Sequence, residues 1–121
     1  MLPRNYRITV YNDSGASADI TVTARRWKID SNGAVVFEAT EATLLTATGA
    51  ADASLSTGTV QDNSSDLYIG LSGVMSLTGD GAGIVTVFLE PSTDGGTAWP
   101  SSQNGIPLGA GVPGDDIAFT V

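Results

Sequence analysis

The sequence predicts an all-β fold, a single-domain β-sandwich or jelly-roll-like barrel of about seven to eight short strands. Three observations indicate this. Short runs of alternating apolar and polar residues recur along the chain, and turn signals separate them roughly every 8–12 residues. No apolar stripe with helical spacing is sustained over about eleven residues. The length of 121 residues is that of one domain, so a single β domain is expected over residues 1–121.

The first part of the chain predicts three strands. Residues 6–11 alternate and are followed by a turn at Asn12–Gly15. Residues 19–29 form the next alternating run, which ends at Asp30–Gly33. This turn contains Asn-Gly, the strongest short-range hairpin signal, so residues 35–37 are predicted to be the returning strand.

The rest of the chain predicts further strands with more ambiguity. Residues 38–63 are interpreted as one or two weak strands plus loop, including a strand within 54–60. The run 67–74 resembles a strand that is bent or bulged at its glycines. Residues 84–90 are apolar nearly throughout, which predicts a central strand, and 116–121 is the last predicted strand.

Two segments are expected to lie outside the strands. Residues 1–5 are a candidate flexible N-terminal arm. Residues 101–114 contain several glycines and two prolines and are predicted to form a long ordered loop that could contact a neighbouring molecule.

The composition argues against catalysis. The chain has no Cys and no His, which excludes thiol chemistry, the Ser-His-Asp triad and the common zinc sites. The acidic loop residues do not have the spacing of a calcium-binding EF-hand. We therefore predict a non-enzymatic protein with no catalytic residues, no metal site and no cofactor. The segment MLPRNYRITV has no apolar run typical of a signal peptide, and no run is long enough for a membrane helix, so no membrane partner is expected.

The charges are distributed unevenly. The net charge is −8, yet all five basic residues lie within the first 28 positions, where they face only two acids. The remaining eleven acids have no base beside them in the sequence. Nucleic acid would be repelled by most of such a molecule. Two interpretations remain: the acidity keeps the protein soluble, or the basic end docks on an acidic partner.

The most distinctive string is Ser92-Thr93-Asp94-Gly95-Gly96-Thr97-Ala98-Trp99. It fits the Asp-box pattern, in which Ser92 and Asp94 bond to turn amides, Gly96 allows a positive φ, and Trp99 packs beneath the turn. Because the motif occurs once here, it is interpreted as a structural turn. A glycan site is the other interpretation, with Trp27, Tyr68 and Trp99 as candidates for stacking on sugar rings.

The segment Val87–Pro100, "VFLEPSTDGGTAWP", resembles a segment of small virion proteins of tailed bacteriophages, and the opening Tyr6–Lys28 has a similar character. The resemblance covers about a third of the chain, and phage proteins of this length and composition include capsid decoration, or cement, proteins. It implies a structural protein on the outer surface of a phage head, bound to the major capsid protein as a homotrimer and assembled in the host cytoplasm.

Charge and composition, in this setting, suggest the contact residues. Arg4, Arg7, Arg25 and Arg26 are the candidates for binding the shell. The apolar segment 106–112, and in particular Ile106, Pro107 and Leu108, is the candidate for packing between subunits. The alternatives are a head-fibre or tail-associated virion protein and a carbohydrate-binding β-sandwich module.

Overall fold

A computed structural model describes residues 2–100 and 105–121, and this part of the chain contains ten β-strands and no helix. No helix that could span a membrane is therefore found among these residues. The strands are β1 (Asn5–Asp13), β2 (Ala18–Ile29), β3 (Val35–Phe37), β4 (Ala42–Ala50), β5 (Ser54–Thr57), β6 (Gln61–Asp62), β7 (Gly70–Gly79), β8 (Ile84–Pro91), β9 (Ile106–Gly111) and β10 (Asp116–Thr120).

The strands form two antiparallel sheets of five strands each. In the first, which we call the β1 sheet, the order is β5-β1-β8-β9, and β6 pairs with β1 beside β5. In the second, the β2 sheet, the order is β10-β7-β2-β3, and β4 pairs with the same edge of β2 as β3 does. The all-β prediction is confirmed, as a two-sheet arrangement without a closed barrel.

The core lies between the two sheets and follows the alternation predicted from the sequence. Every second residue of a strand points to the same face, so β1 contributes Tyr6, Ile8 and Val10, all fully buried. The other strands contribute Ala18, Ile20, Val22, Ala24, Leu44, Leu45, Leu71, Met75, Leu77, Val85, Val87, Leu89 and Phe119. Leu2, which lies in the predicted N-terminal arm, is also buried in this cluster.

The structure differs from the sequence prediction in two regions. Residues 38–63 contain the nine-residue strand β4 in addition to the short strands β5 and β6. Six of the residues predicted as a loop over 101–114 form β9, which pairs with β8, while residues 101–104 lie outside the described part. This strand was not predicted because it contains two glycines, Gly109 and Gly111. The side chain of Ile117 occupies the space beside both glycines.

Candidate interaction surface

The topology separates the charged residues between two ends of the molecule. Five connections cross between the sheets, and four of them, 13–18, 50–54, 79–84 and 111–116, lie at one end, where the loops bond to one another, while the fifth, 62–70, lies at the other end. We call this the acidic end, because it contains six carboxylates and no base: Asp13, Asp19, Asp52, Asp80, Asp115 and Asp116. The opposite end, which we call the hairpin end, carries all five bases and the other seven acids.

The hairpin end contains a cluster of stacked and paired cations. Arg26 donates hydrogen bonds to both carboxylate oxygens of Glu38, through its backbone N–H at 2.9 Å to Oε2 and through Nε at 2.8 Å to Oε1. Its guanidinium also lies 4.6 Å from the ring centroid of Tyr68, and the ammonium of Lys28 lies 5.0 Å from the same centroid. One Arg26 amine donates to the carbonyl of Asp62. The charge of Arg26 is thus satisfied within the chain.

Proton affinities in this cluster follow from these contacts. The hydrogen bond to Glu38 raises the pKa of Arg26 above its usual value. Desolvation opposes ionisation of Glu38, but the bonds from the side chain and backbone of Arg26 outweigh it and lower the pKa of this carboxyl. Burial is the main cause that raises the pKa of Tyr6 to about 12. All three residues therefore keep one charge state across the physiological pH range.

A second cation, Arg7, is bound on the outer face of the β1 sheet. Arg7 lies opposite Glu90 in the β1–β8 register, and its Nε donates to Oε2 of Glu90 at 2.8 Å. The guanidinium lies 4.4 Å from the centroid of the Trp99 ring, on which it stacks. The Glu90 side chain is 0% exposed, and its other oxygen has no partner among the described residues. Arg7 therefore compensates a buried charge.

In the Asp-box string, the side chains of Ser92 and Asp94 bond to backbone groups of the same segment. Oδ1 of Asp94 accepts hydrogen bonds from the backbone N–H groups of Thr97 at 3.0 Å and of Ala98 at 2.6 Å. The Ser92 hydroxyl accepts from the N–H of Gly96 at 2.7 Å, and Gly96 has a φ of 100°. The ring of Trp99 contacts the guanidinium of Arg7. The predicted structural role is consistent with this geometry, which brings the motif beside Arg7.

The carboxylate of Asp94 gives a first testable prediction. The bond from the Ala98 amide, together with those from Thr97 and Ser92, lowers the pKa of Asp94. The contribution of these bonds to folding is therefore present above the unfolded-state pKa and is lost as the pH falls through the folded-state pKa. We expect NMR titration of the Asp94 carboxyl carbon to give a midpoint below that of an unfolded peptide. A midpoint at or above the peptide value would contradict the turn geometry.

The two other predicted shell-binding residues, Arg4 and Arg25, are exposed and make no ion pair with any described residue. Arg25 lines a shallow open groove on the outer face of the β2 sheet, between β2, β7 and β10. The groove is also lined by Phe37, Glu41, Ser72, Val74 and Thr120. It offers one free cation, one carboxylate, hydroxyl groups and an exposed aromatic ring.

Exposed apolar side chains lie at the hairpin end. Ile29, Val35, Val36 and Phe37 are 46%, 55%, 40% and 48% exposed, and all four belong to the β2–β3 hairpin. Ile106 and Pro107, at the start of β9, are exposed as well, whereas Leu108 packs against the core. The hairpin residues were not predicted as contact residues. The signal that could have indicated them is the run Val-Val-Phe after the Asn-Gly turn, in which no polar residue alternates with the apolar ones.

The structure thus divides the predicted site residues into two groups. Arg7 and Arg26 are engaged in internal ion pairs, while Arg4, Arg25, Ile106 and Pro107 are available at the surface of the hairpin end. Of the aromatic rings proposed to stack on sugars, those of Tyr68 and Trp99 are in contact with cations, and the indole of Trp27 covers Gly70. In the described part of the chain, no group of three or more side chains could ligate a metal ion.

Comparisons with known proteins identified no relative of this chain. No protein-family model matches the chain, and searches of curated proteins and of solved structures give no significant match.

Proposed function

We propose that this chain is a non-enzymatic structural protein that binds the outer surface of a phage head and stabilises the capsid lattice. The observation that supports docking is the difference between the two ends. Exposed cations and apolar side chains occur together at the hairpin end, whereas the acidic end carries six carboxylates without a base. Interfaces combine an apolar centre with complementary charge at the rim, so the hairpin end is the suitable docking surface.

The phage setting depends on the resemblance of Val87–Pro100 to virion proteins. In such a setting the acidic end would face solvent and the hairpin end would contact the major capsid protein. Many copies, each bridging adjacent capsid subunits, would add stability to the shell by multivalency without any chemical step. A head-fibre or tail-associated role would use the same hairpin end with another virion partner.

The direct test is co-sedimentation of the purified protein with expanded phage heads that lack decoration. We expect saturable binding to the shells and a higher temperature of shell disruption. If no copies sediment with the shells, the capsid role is excluded. Retention of the protein on a glycan column, in the absence of shell binding, would instead favour the carbohydrate-binding alternative, with the groove beside Phe37 as its site.

A charge variant tests which end docks. Arg25→Ala removes an exposed cation of the hairpin end, and we expect weaker shell binding with a smaller dependence on salt concentration. The matched control is Ser17→Asp, which lowers the net charge by the same amount in an exposed turn at the acidic end. Equal loss of binding in both variants would show that net charge, and not the hairpin end, governs docking.

A further inference from the structure

The strand β3 is an unprotected sheet edge. It pairs with β2 on one side, and among the described residues no strand pairs with its other side. All three of its residues are apolar and exposed. Natural sheet edges are usually protected by charged residues, prolines or bulges, because free backbone groups next to apolar side chains promote pairing with another strand. None of these protective features occurs within β3.

The hydrogen-bond pattern shows which backbone groups are free. Asp30 donates to the carbonyl of Ala34 at 2.9 Å, and Glu38 donates to the carbonyl of Arg26 at 2.9 Å. Residues 34, 36 and 38 therefore direct their backbone groups toward β2, since successive residues of a strand alternate in this direction. Val35 and Phe37 direct theirs away from the sheet. The edge thus presents two N–H donors and two C=O acceptors.

We propose that this edge binds the same edge of a second copy of the chain. The two β3 strands would run antiparallel about a two-fold axis at Val36. Val35 of each copy would exchange two backbone hydrogen bonds with Phe37 of the other, so that all four free groups on each edge are satisfied. The side chains also match: Val35 lies beside Phe37 of the second copy on one face, and the two Val36 side chains meet on the other.

The charge distribution favours a second copy in this orientation. An interface of this kind is isologous, with the same patch on both molecules. Antiparallel pairing places the two acidic ends on opposite sides of the dimer, well beyond the Debye length of about 8–10 Å. A parallel threefold arrangement, as in the homotrimer implied by the phage resemblance, would bring three acidic ends side by side. The hairpin ends, with five bases and seven acids each, are nearly balanced.

The contact is small. It consists of three residues of β3 from each copy, extended by Ile29, which is opposite Val35 in the hairpin. Stable interfaces bury more than about 1,000 Å² in total, so a reversible dimer that forms only at high protein concentration is expected. The two paired β2 sheets would form one continuous sheet across the two-fold axis.

Sedimentation equilibrium over a wide range of protein concentrations tests the proposal. We expect the mean mass to rise from 12.3 kDa toward twice that value. Val35→Pro should abolish the rise, because proline lacks the outward N–H yet is tolerated at a sheet edge where that group faces solvent. The matched control, Val35→Ala, shortens the side chain but keeps the N–H, and should still dimerise. Phe37→Glu, which places a carboxylate opposite Val35, is a second disrupting variant.

Several results would overturn the proposal. A mass of 12.3 kDa at every concentration, or a trimer, would exclude the two-fold pairing. So would equal behaviour of Val35→Pro and Val35→Ala, provided that circular dichroism shows both to be folded. Amide exchange gives independent evidence: the amides of Val35 and Phe37 should become protected as the concentration rises. Because these measurements use no phage heads, their outcome is separate from that of the capsid-binding experiment.

Discussion

Replacement of Arg7 by methionine is expected to lower the free energy of unfolding by about 3–5 kcal/mol, the range for breaking a buried ion pair from one side. The reason is the position of Glu90. Its side chain is fully buried, and its ion pair with Arg7 is the one formed by this carboxylate in the described structure. Without Arg7 the carboxylate would remain in a region of low polarity with no compensating charge. The stacking of the guanidinium on Trp99 would be lost as well.

A double-variant comparison isolates the cause. The Arg7→Met/Glu90→Gln variant removes both charges and should recover a large part of the lost stability, because no buried charge remains. Arg4→Met, which removes an exposed cation at the same end, is the matched control and should change stability by less than about 0.5 kcal/mol. Urea denaturation measures all three. If Arg7→Met behaves like Arg4→Met, the ion pair has no structural role.

The sequence predicted those strands in which local signals agree. Residues 84–90 were predicted as a central strand, and β8 does lie between β1 and β9. The Asn-Gly turn was predicted to close a hairpin, and residues 31–33 do connect β2 to β3, with the Asp30 N–H bonded to the Ala34 carbonyl and Gly33 at a positive φ of 81°. In both cases hydrophobic pattern and turn chemistry lead to the same conclusion.

The strands β4 and β9 were not recognised because their irregularities hide the alternation. Leu44 and Leu45 are adjacent and both buried, which breaks the alternation along β4, and the register of β4 against β2 shifts at Val22/Thr23. In β9 the register shifts at Val87/Phe88, and two of its six residues are glycines. Bulges and glycines in strands depend on the neighbouring strand, which a single sequence does not reveal.

The candidate interaction surface was predicted in part for the same reason. The clustering of the bases is visible in the sequence, but their ion pairs are not, because the partners are distant along the chain. Glu90, for example, is 83 residues from Arg7. Which cations are neutralised depends on strand register. The sequence does contain a run of apolar residues at β3, but it does not show that they are exposed. They are exposed because β3 pairs with β2 beyond the point where β4 ends.

The connection between the two sheets also depends on Gly58, which the sequence pattern does not distinguish from the other glycines. Gly58 donates to the carbonyl of Ile8 in the β1 sheet at 2.8 Å, and Thr59 donates to the carbonyl of Leu44 in the β2 sheet at 3.0 Å. This short segment therefore links the open edges of both sheets. A Cβ atom at Gly58 would overlap the carbonyl oxygen of Leu44 and would lie 2.9 Å from that of Ile8.

Gly58→Ala is therefore expected to lower the free energy of unfolding by about 2–4 kcal/mol, since the backbone must separate and leave hydrogen-bonding groups unpaired. The obstacle is backbone, which cannot move aside as a flexible side chain can. Gly33→Ala is the control: it introduces the same methyl group where no atom lies within 4 Å, at a positive φ. Its cost of about 1 kcal/mol reflects backbone conformation alone. Equal losses of stability in urea denaturation would show that the two sheets can separate at Gly58 without penalty.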